Sequence, residues 1–419
     1  MEEERKYIYL AEINLAFTPG SPIDSRDLFA GRKKQREKVL NTIFQKGEHA
    51  ILFGERGVGK TSLANILFDY LVFMGRFKYQ RAKVNCSSGM SFEAIWRSIF
   101  KQLTFQDAEG NTLTMDEALP ESPNPENIRE TFQLLDDRTI IVIDELDKVP
   151  DREIQRQLAD TIKTLSDNAI GTTLIMVGVG DSIDQLIAEH KSIERAIVQV
   201  PMKRMSKSEL LEIIDKGLDK CIGLTIESSA RNRIADYSQG LPFYTHLLAR
   251  ESALHAVTSD REEITMNDLD FAIREAVDSQ LETNLTTYNM AVSAPRGKNF
   301  RPVLLACALA KKNEQQWFYA KDVAPPLRII TSKSYNVPAF AKHLKAFCEE
   351  LRGAILERRG PPRRVQYRFV KPLMEPYVVL RGLADGLILQ NRLSSPSEDS
   401  SEPEQLSLLS SASGPPIEI

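Results

Sequence analysis

Near-continuous apolar runs recur through the first half of the chain, at residues 50–53, 139–143, 173–179 and 196–200. Each run is too short for a helix and too apolar for a surface strand, so each reads as a buried strand, and residues 81–86, which alternate polar and apolar, read as a further strand. Between them the spacing changes to the helical repeat: Leu63, Ile66, Leu67 and Tyr70 share one face, and residues 91–103 and 152–165 are amphipathic. Strands alternating with helices predict an α/β parallel sheet. From residue 205 the pattern is helical throughout. Ser206 and Glu209 form a capping box before Leu210, Leu211, Ile214 and Leu218, and further helices are expected near 227–238, 242–257 and 267–282, the last capped by Asn267. Residues 283–296 lack periodicity and read as a linker.

Three more helices are expected beyond it, at 300–310, 319–330 and 337–351, the second bent or shortened by Pro325-Pro326. In the third, Val337, Phe340, Leu344, Phe347 and Leu351 make an apolar stripe, with Lys342, His343 and Lys345 off it. Two short strands, 354–359 and 365–370, flank Gly360-Pro361-Pro362 and predict a hairpin. Residues 104–127 are polar and broken by three prolines, which suits a surface insertion. The expected organisation is an arm over 1–24, a P-loop parallel-sheet domain over 25–204 and a helical lid over 205–284. A linker over 285–298, a winged helix-turn-helix domain over 299–392 and a disordered tail over 393–419 complete it.

Charge sharpens this division. Residues 297–392 carry 18 Lys and Arg against 7 Asp and Glu, whereas 1–296 carry 36 against 46. A basic block on a mildly acidic chain points to a polyanion as its partner. The four cysteines form no C-x-x-C pair, and no apolar run approaches membrane-spanning length, so no membrane role is expected and a reducing cytoplasm is the simplest setting.

The candidate chemistry starts at residues 54–61, GERGVGKT, which fit G-x-x-x-x-G-K-[ST] between a strand and a helix. Gly54, Gly57 and Gly59 allow backbone N–H groups to curl around phosphate oxygens. Glu55, Arg56, Val58 and Ser62 complete the lining. Lys60 would reach the β- and γ-phosphates and Thr61 would ligate Mg²⁺, so the loop implies a nucleoside triphosphate. The strand over 139–143 runs into Asp144-Glu145, where Asp144 suits the metal and Glu145 the attacking water. Leu28 and Phe29 are either an apolar cover for the base or ordinary core residues. Asp181 or Ser182 could face the γ-phosphate. Arg195, just before the fifth strand, is either an arginine finger offered between subunits or a surface ion-pair partner. Arg358, Arg359, Arg363 and Arg364 crowd the hairpin tip and, with Lys342 and Lys345, are candidate contacts to double-stranded DNA. A protein-binding winged helix is the other reading of that surface.

On LFAGR, GERGVGKT, IIVIDE, the segment ending at Arg195 and the order of lid and winged helix, residues 25–385 resemble the AAA+ ATPases of the origin-recognition and initiator-loader kind. They also look similar to the signal-transduction ATPases with numerous domains. The resemblance implies ATP, a slow ATPase, a homo-oligomer or protein partner, and a nucleotide-dependent switch. Initiator-type lids carry an arginine where this chain has Phe243. Gly240-Leu241-Pro242 instead matches the G-x-P signature of the signalling branch, which places Pro242 at the nucleotide and favours slow switching.

Overall fold

The computed structural model describes residues 3–74, 78–106, 109–135, 137–179, 193–279, 282–293, 299–362 and 364–388. Its centre is a five-stranded parallel sheet built from β1 (His49–Phe53), β2 (Tyr79–Asn85), β5 (Arg138–Asp144), β6 (Thr172–Gly178) and β7 (Ile197–Pro201), in the order β2-β5-β6-β1-β7. β5 and β6 are buried almost throughout, as their Ile- and Val-rich runs require. Helices α2 (Lys33–Phe44), α3 (Lys60–Met74), α4 (Phe92–Phe100), α5 (Pro125–Phe132) and α6 (Arg152–Asp167) pack around the sheet. Trp96 meets Phe132 edge-on, and Phe100 lies tilted against both. The stretch expected as an irregular insertion contains a small hairpin, β3 (Thr104–Gln106) with β4 (Thr112–Thr114), and the start of α5, whose N-cap is Asn124.

Beyond the sheet lie α7 (Lys207–Leu218), α8 (Ser228–Tyr237), α9 (Pro242–Thr258) and α10 (Met266–Asp278), with β8 (Thr225–Ile226) pairing β9 (Glu263–Ile264). The cap of α10 is Thr265, whose capping box with Asp268 displaces the expected Asn267 by two residues. Asp268 is fully buried and accepts from Arg261 and from the Thr265 N–H, so its carboxyl is held well below the usual range despite the opposing desolvation.

Two segments differ from the sequence expectation. The N-terminal arm is largely a helix, α1 (Glu3–Ala16), with Tyr9, Ile13 and Ala16 buried and Phe17 beyond it seated against His246 of α9 and Gly217 of α7. Positions 9, 13, 16 and 17 share a helical face, a pattern that the polar first turn conceals. The stretch read as a linker contains α11 (Glu282–Val292), which buries Tyr288, Ala291 and Val292 at i, i+3 and i+4. Its threonines lower helix propensity, and tertiary burial overrides them.

The C-terminal part combines α12 (Phe300–Ala308), α13 (Ala320–Thr331), α14 (Val337–Ala346) and α15 (Met374–Ala384) with an antiparallel sheet. That sheet has the order β10 (Phe318–Tyr319), β12 (Gln366–Phe369), β11 (Leu356–Arg359). α14 ends at Ala346 rather than 351, leaving Leu351 88% exposed, off the expected stripe. His343, expected on the polar side, is buried edge-on against Phe300. No helix among the described residues is long and apolar enough to cross a membrane.

Candidate functional site

The loop between β1 and α3 turns at Gly57 and Gly59, with φ of 84° and 88°, conformations that side-chain-bearing residues rarely adopt. A Cβ on Gly57 would also press to 3.3 Å from Leu373 Cδ2, so the C-terminal part lies directly on the loop. Lys60 Nζ donates to the carbonyls of Gly54 (2.9 Å) and Glu55 (2.7 Å), closing the loop on itself. Burial pushes the Lys60 ammonium down to about 8, against the pull of Asp147 and Asp144. Val58 is buried, and its carbonyl accepts from the buried Arg32 at 2.7 Å. The Ser62 hydroxyl accepts from the Ile23 N–H at 3.1 Å, tying the first helical turn to the preceding segment.

The C-terminal tip of β5 supplies the carboxylates. Asp144 is buried, with Oδ1 accepting from the Glu145 N–H (2.8 Å) and Oδ2 lying 3.3 Å from Lys83 Nζ. Lys83 also donates to Asn65 of α3 at 2.8 Å. Glu145 adopts a left-handed backbone, φ 57°, a conformation that non-glycine residues hold mainly where surroundings enforce it. Its carboxylate pairs with Lys148 at 2.6 Å, and Arg56 pairs with Asp147 at 2.9 Å. Asp144 and Thr61 are oxygen donors suited to Mg²⁺, which usually rests on one or two carboxylates, waters and the phosphates of its ligand. The ammonium already on Asp144 Oδ2 shows that this oxygen accepts a cation.

The remaining expected residues fall out as follows. Phe29 is buried in the core and Leu28 is half-buried. Pro242 begins α9. Arg195 is exposed. Asp181, Ser182 and Arg363 lie outside the described residues.

Sequence reasoning missed the roles of two arginines around the loop. Arg32 sits with φ 58° at the start of α2, and its N–H donates to Glu209 of α7 at 2.8 Å. Glu209 thereby caps its own helix and holds the segment before α2. Arg204 joins loop to C-terminal part: Nε donates to Glu55 Oε2 (3.1 Å) and its two terminal nitrogens grip Glu375 at 2.9 and 3.0 Å. Arg32 ends LFAGR and Arg204 belongs to no local motif, but neither position reveals its partner, which lies far away in sequence.

In the C-terminal part Lys342 and Lys345 are exposed on α14, and Arg358 and Arg364 are exposed at the hairpin. Gly360, φ 94°, is required in that turn, where a Cβ would come within 2.7 Å of the Arg364 carbonyl. Arg359 is partly committed: its guanidinium stacks 4.2 Å from the Trp317 ring and donates to Gln366 at 3.0 Å.

A parallel sheet with a glycine loop after β1 and an acidic tip on β5, separated by β6, defines a P-loop domain of the AAA class. Residues 45–187 match the family model of the AAA domain. The chain as a whole is similar to the ORC2 protein of Aeropyrum pernix, solved as ADPNP–ADP complexes. There the identity is 13%, the match covers 88% of this chain and 97% of that chain, and the TM-score is 0.52. A Walker-type ATPase of Pyrococcus abyssi is similar at 14% identity, covering 87% of this chain and 99% of that chain, with a TM-score of 0.52. At such identities the likeness establishes the fold. Comparison with curated proteins gives no match.

Proposed function

We propose that this chain is an ATP-dependent switch: it binds Mg²⁺–ATP at the 54–61 loop, hydrolyses it slowly, and contacts double-stranded DNA through a winged helix formed by residues 299–392. The observation that carries the nucleotide reading is the convergence of Lys60 with Asp144 beside a loop turned by Gly57 and Gly59. Bound there, Mg²⁺ would rest on Asp144 and Thr61 and neutralise the phosphates. Glu145, released from Lys148, would orient the attacking water. Arg195 is exposed and free to meet a neighbouring subunit's nucleotide.

For the DNA reading, the helix order, the three-stranded sheet and the basic hairpin suit a module whose helix enters the major groove while its wing touches backbone. A protein partner is the second reading, favoured by Arg359 being engaged by Trp317 and Gln366 and by the exposed Tyr319, which pairs with Gln366 in the same sheet. Salt separates the two: DNA contacts should weaken with a log–log slope near about −0.9 per phosphate neutralised.

Titration with a fluorescent ATP analogue tests the nucleotide reading. Wild type should bind, and Lys60→Ala should bind at least roughly tenfold more weakly, as loss of a charged phosphate contact demands. Equal binding by both proteins would overturn the assignment.

A further inference from the structure

Arg204 touches both the phosphate loop and the C-terminal part. It follows β7 and lies 10% exposed, gripping Glu375 of α15 with both terminal nitrogens while Nε holds Glu55 of the loop. Gly240 makes room for it: a Cβ there would come within 2.7 Å of Arg204 Cβ. Its Nη1 also donates to the Gln239 carbonyl at 3.1 Å, just before the uncharged residues Leu241, Pro242 and Phe243.

The network is built so that only this member can leave. Glu375 is 2% exposed, and an unpaired carboxylate there would be costly. Lys312, itself buried, stands 3.1 Å from Glu375 Oε1 and continues to neutralise it without the arginine. Glu55 is partly exposed and can be solvated. Lys312 and Glu375 both belong to the C-terminal part and stay paired. Elsewhere Leu373 rests on Gly57, its carbonyl accepts from Tyr244 at 2.7 Å and Lys203 pairs with Glu314 at 2.6 Å, while α15 itself packs against α10 of the helical segment.

We propose that Arg204 reads the phosphates of the bound nucleotide by exchanging Glu375 for them, so that nucleotide loosens the C-terminal part from the loop. Lys60, which would turn to the phosphates, now donates to the carbonyl of Glu55, the same residue whose carboxylate holds Arg204. A triphosphate on this loop therefore brings its negative charge into the field of Arg204 and competes directly with two carboxylates. This inference rests on the nucleotide part of the proposed function and needs no DNA.

Two variants move affinity in opposite directions if the exchange occurs. Arg204→Met removes the reader and should weaken binding of a non-hydrolysable ATP analogue by roughly tenfold, with a smaller effect on ADP. Glu375→Gln removes the competitor, keeps the arginine and its packing, and should tighten the same analogue by roughly threefold or more. Damage to the fold would weaken both, so opposite signs are diagnostic, and Arg204→Lys, which loses the fork but keeps the charge, should fall between Arg204→Met and wild type. Changes in the same direction, or none, in proteins that bind would overturn the exchange. Wild type that binds no better than Lys60→Ala would instead overturn the nucleotide reading itself.

Discussion

Lys83 Nζ lies 3.3 Å from Asp144 Oδ2, an ammonium resting on the carboxylate that the proposed metal would use. The carboxylate is almost fully buried and the lysine is about one-third exposed, so the lysine can swing away while Asp144 cannot. Asp144 could hold Mg²⁺ as proposed only once Lys83 has moved off its Oδ2. Lys83→Met should lower the Mg²⁺ concentration needed for half-maximal nucleotide binding. It should also cost the free protein about 1–3 kcal/mol, because a buried carboxylate loses its partner. Magnesium titrations and thermal melts read both effects. An unchanged magnesium dependence would show that the pair does not compete with the metal.

Glu145→Gln should keep nucleotide affinity within about twofold and suppress phosphate release by two orders of magnitude or more, roughly the value of a general base. The Lys148 contact at 2.6 Å becomes a neutral hydrogen bond, so local structure should persist. Hydrolysis at the wild-type rate would remove Glu145 from the water-orienting role.

Lys60 gives the site a pH signature. Burial places its free-protein value at about 8, so below that the loop holds a cation and above it the loop becomes neutral. Phosphate binding prefers the charged form, and affinity should therefore be constant below about 8 and fall by up to roughly tenfold per unit as pH rises further. Binding measured across this range by fluorescence anisotropy checks the sign. Affinity that stays level or rises would contradict it.

The sheet and the loop were legible because their chemistry is local. Consecutive β-branched residues at Ile140 to Ile143 and the glycines around Lys60 announce themselves within a few positions. The hairpin at Gly360 was legible for the same reason. What escaped is non-local: Arg204 finds Glu375 across 171 residues, and Arg32 finds Glu209 across 177. α1 and α11 escaped because burial against distant helices, not propensity, stabilises them. His343 looked polar by type, yet Phe300 closes over it. Lys83 sat inside an apparent strand and gave no sign of facing the carboxylate.

Asp268 carries an acid-sensitivity test for the helical segment. Its pKa is lowered in the folded chain, so its stabilising effect is complete above the usual carboxylate range and is lost as pH falls through that range and below it. Asp268→Ala should destabilise by about 3 kcal/mol at neutral pH, since Arg261 and the Thr265 N–H both lose their acceptor. The variant's deficit should shrink as the medium is acidified. Denaturant melts at neutral and acidic pH measure this, and a deficit independent of pH would argue against the ion pair as its cause.

The most direct measurement is affinity for a duplex DNA with and without Mg²⁺–ATP, at two salt concentrations, for wild type and for Arg358→Glu combined with Arg364→Glu. Both side chains are exposed at the hairpin, so the double reversal should fold and bind nucleotide as wild type does. Expected is wild-type binding that changes with ATP and weakens with salt, and a variant that binds any sequence more weakly with a shallower salt slope. Wild type that fails to bind DNA with ATP present, or a variant that binds it equally well, would contradict the DNA-binding switch.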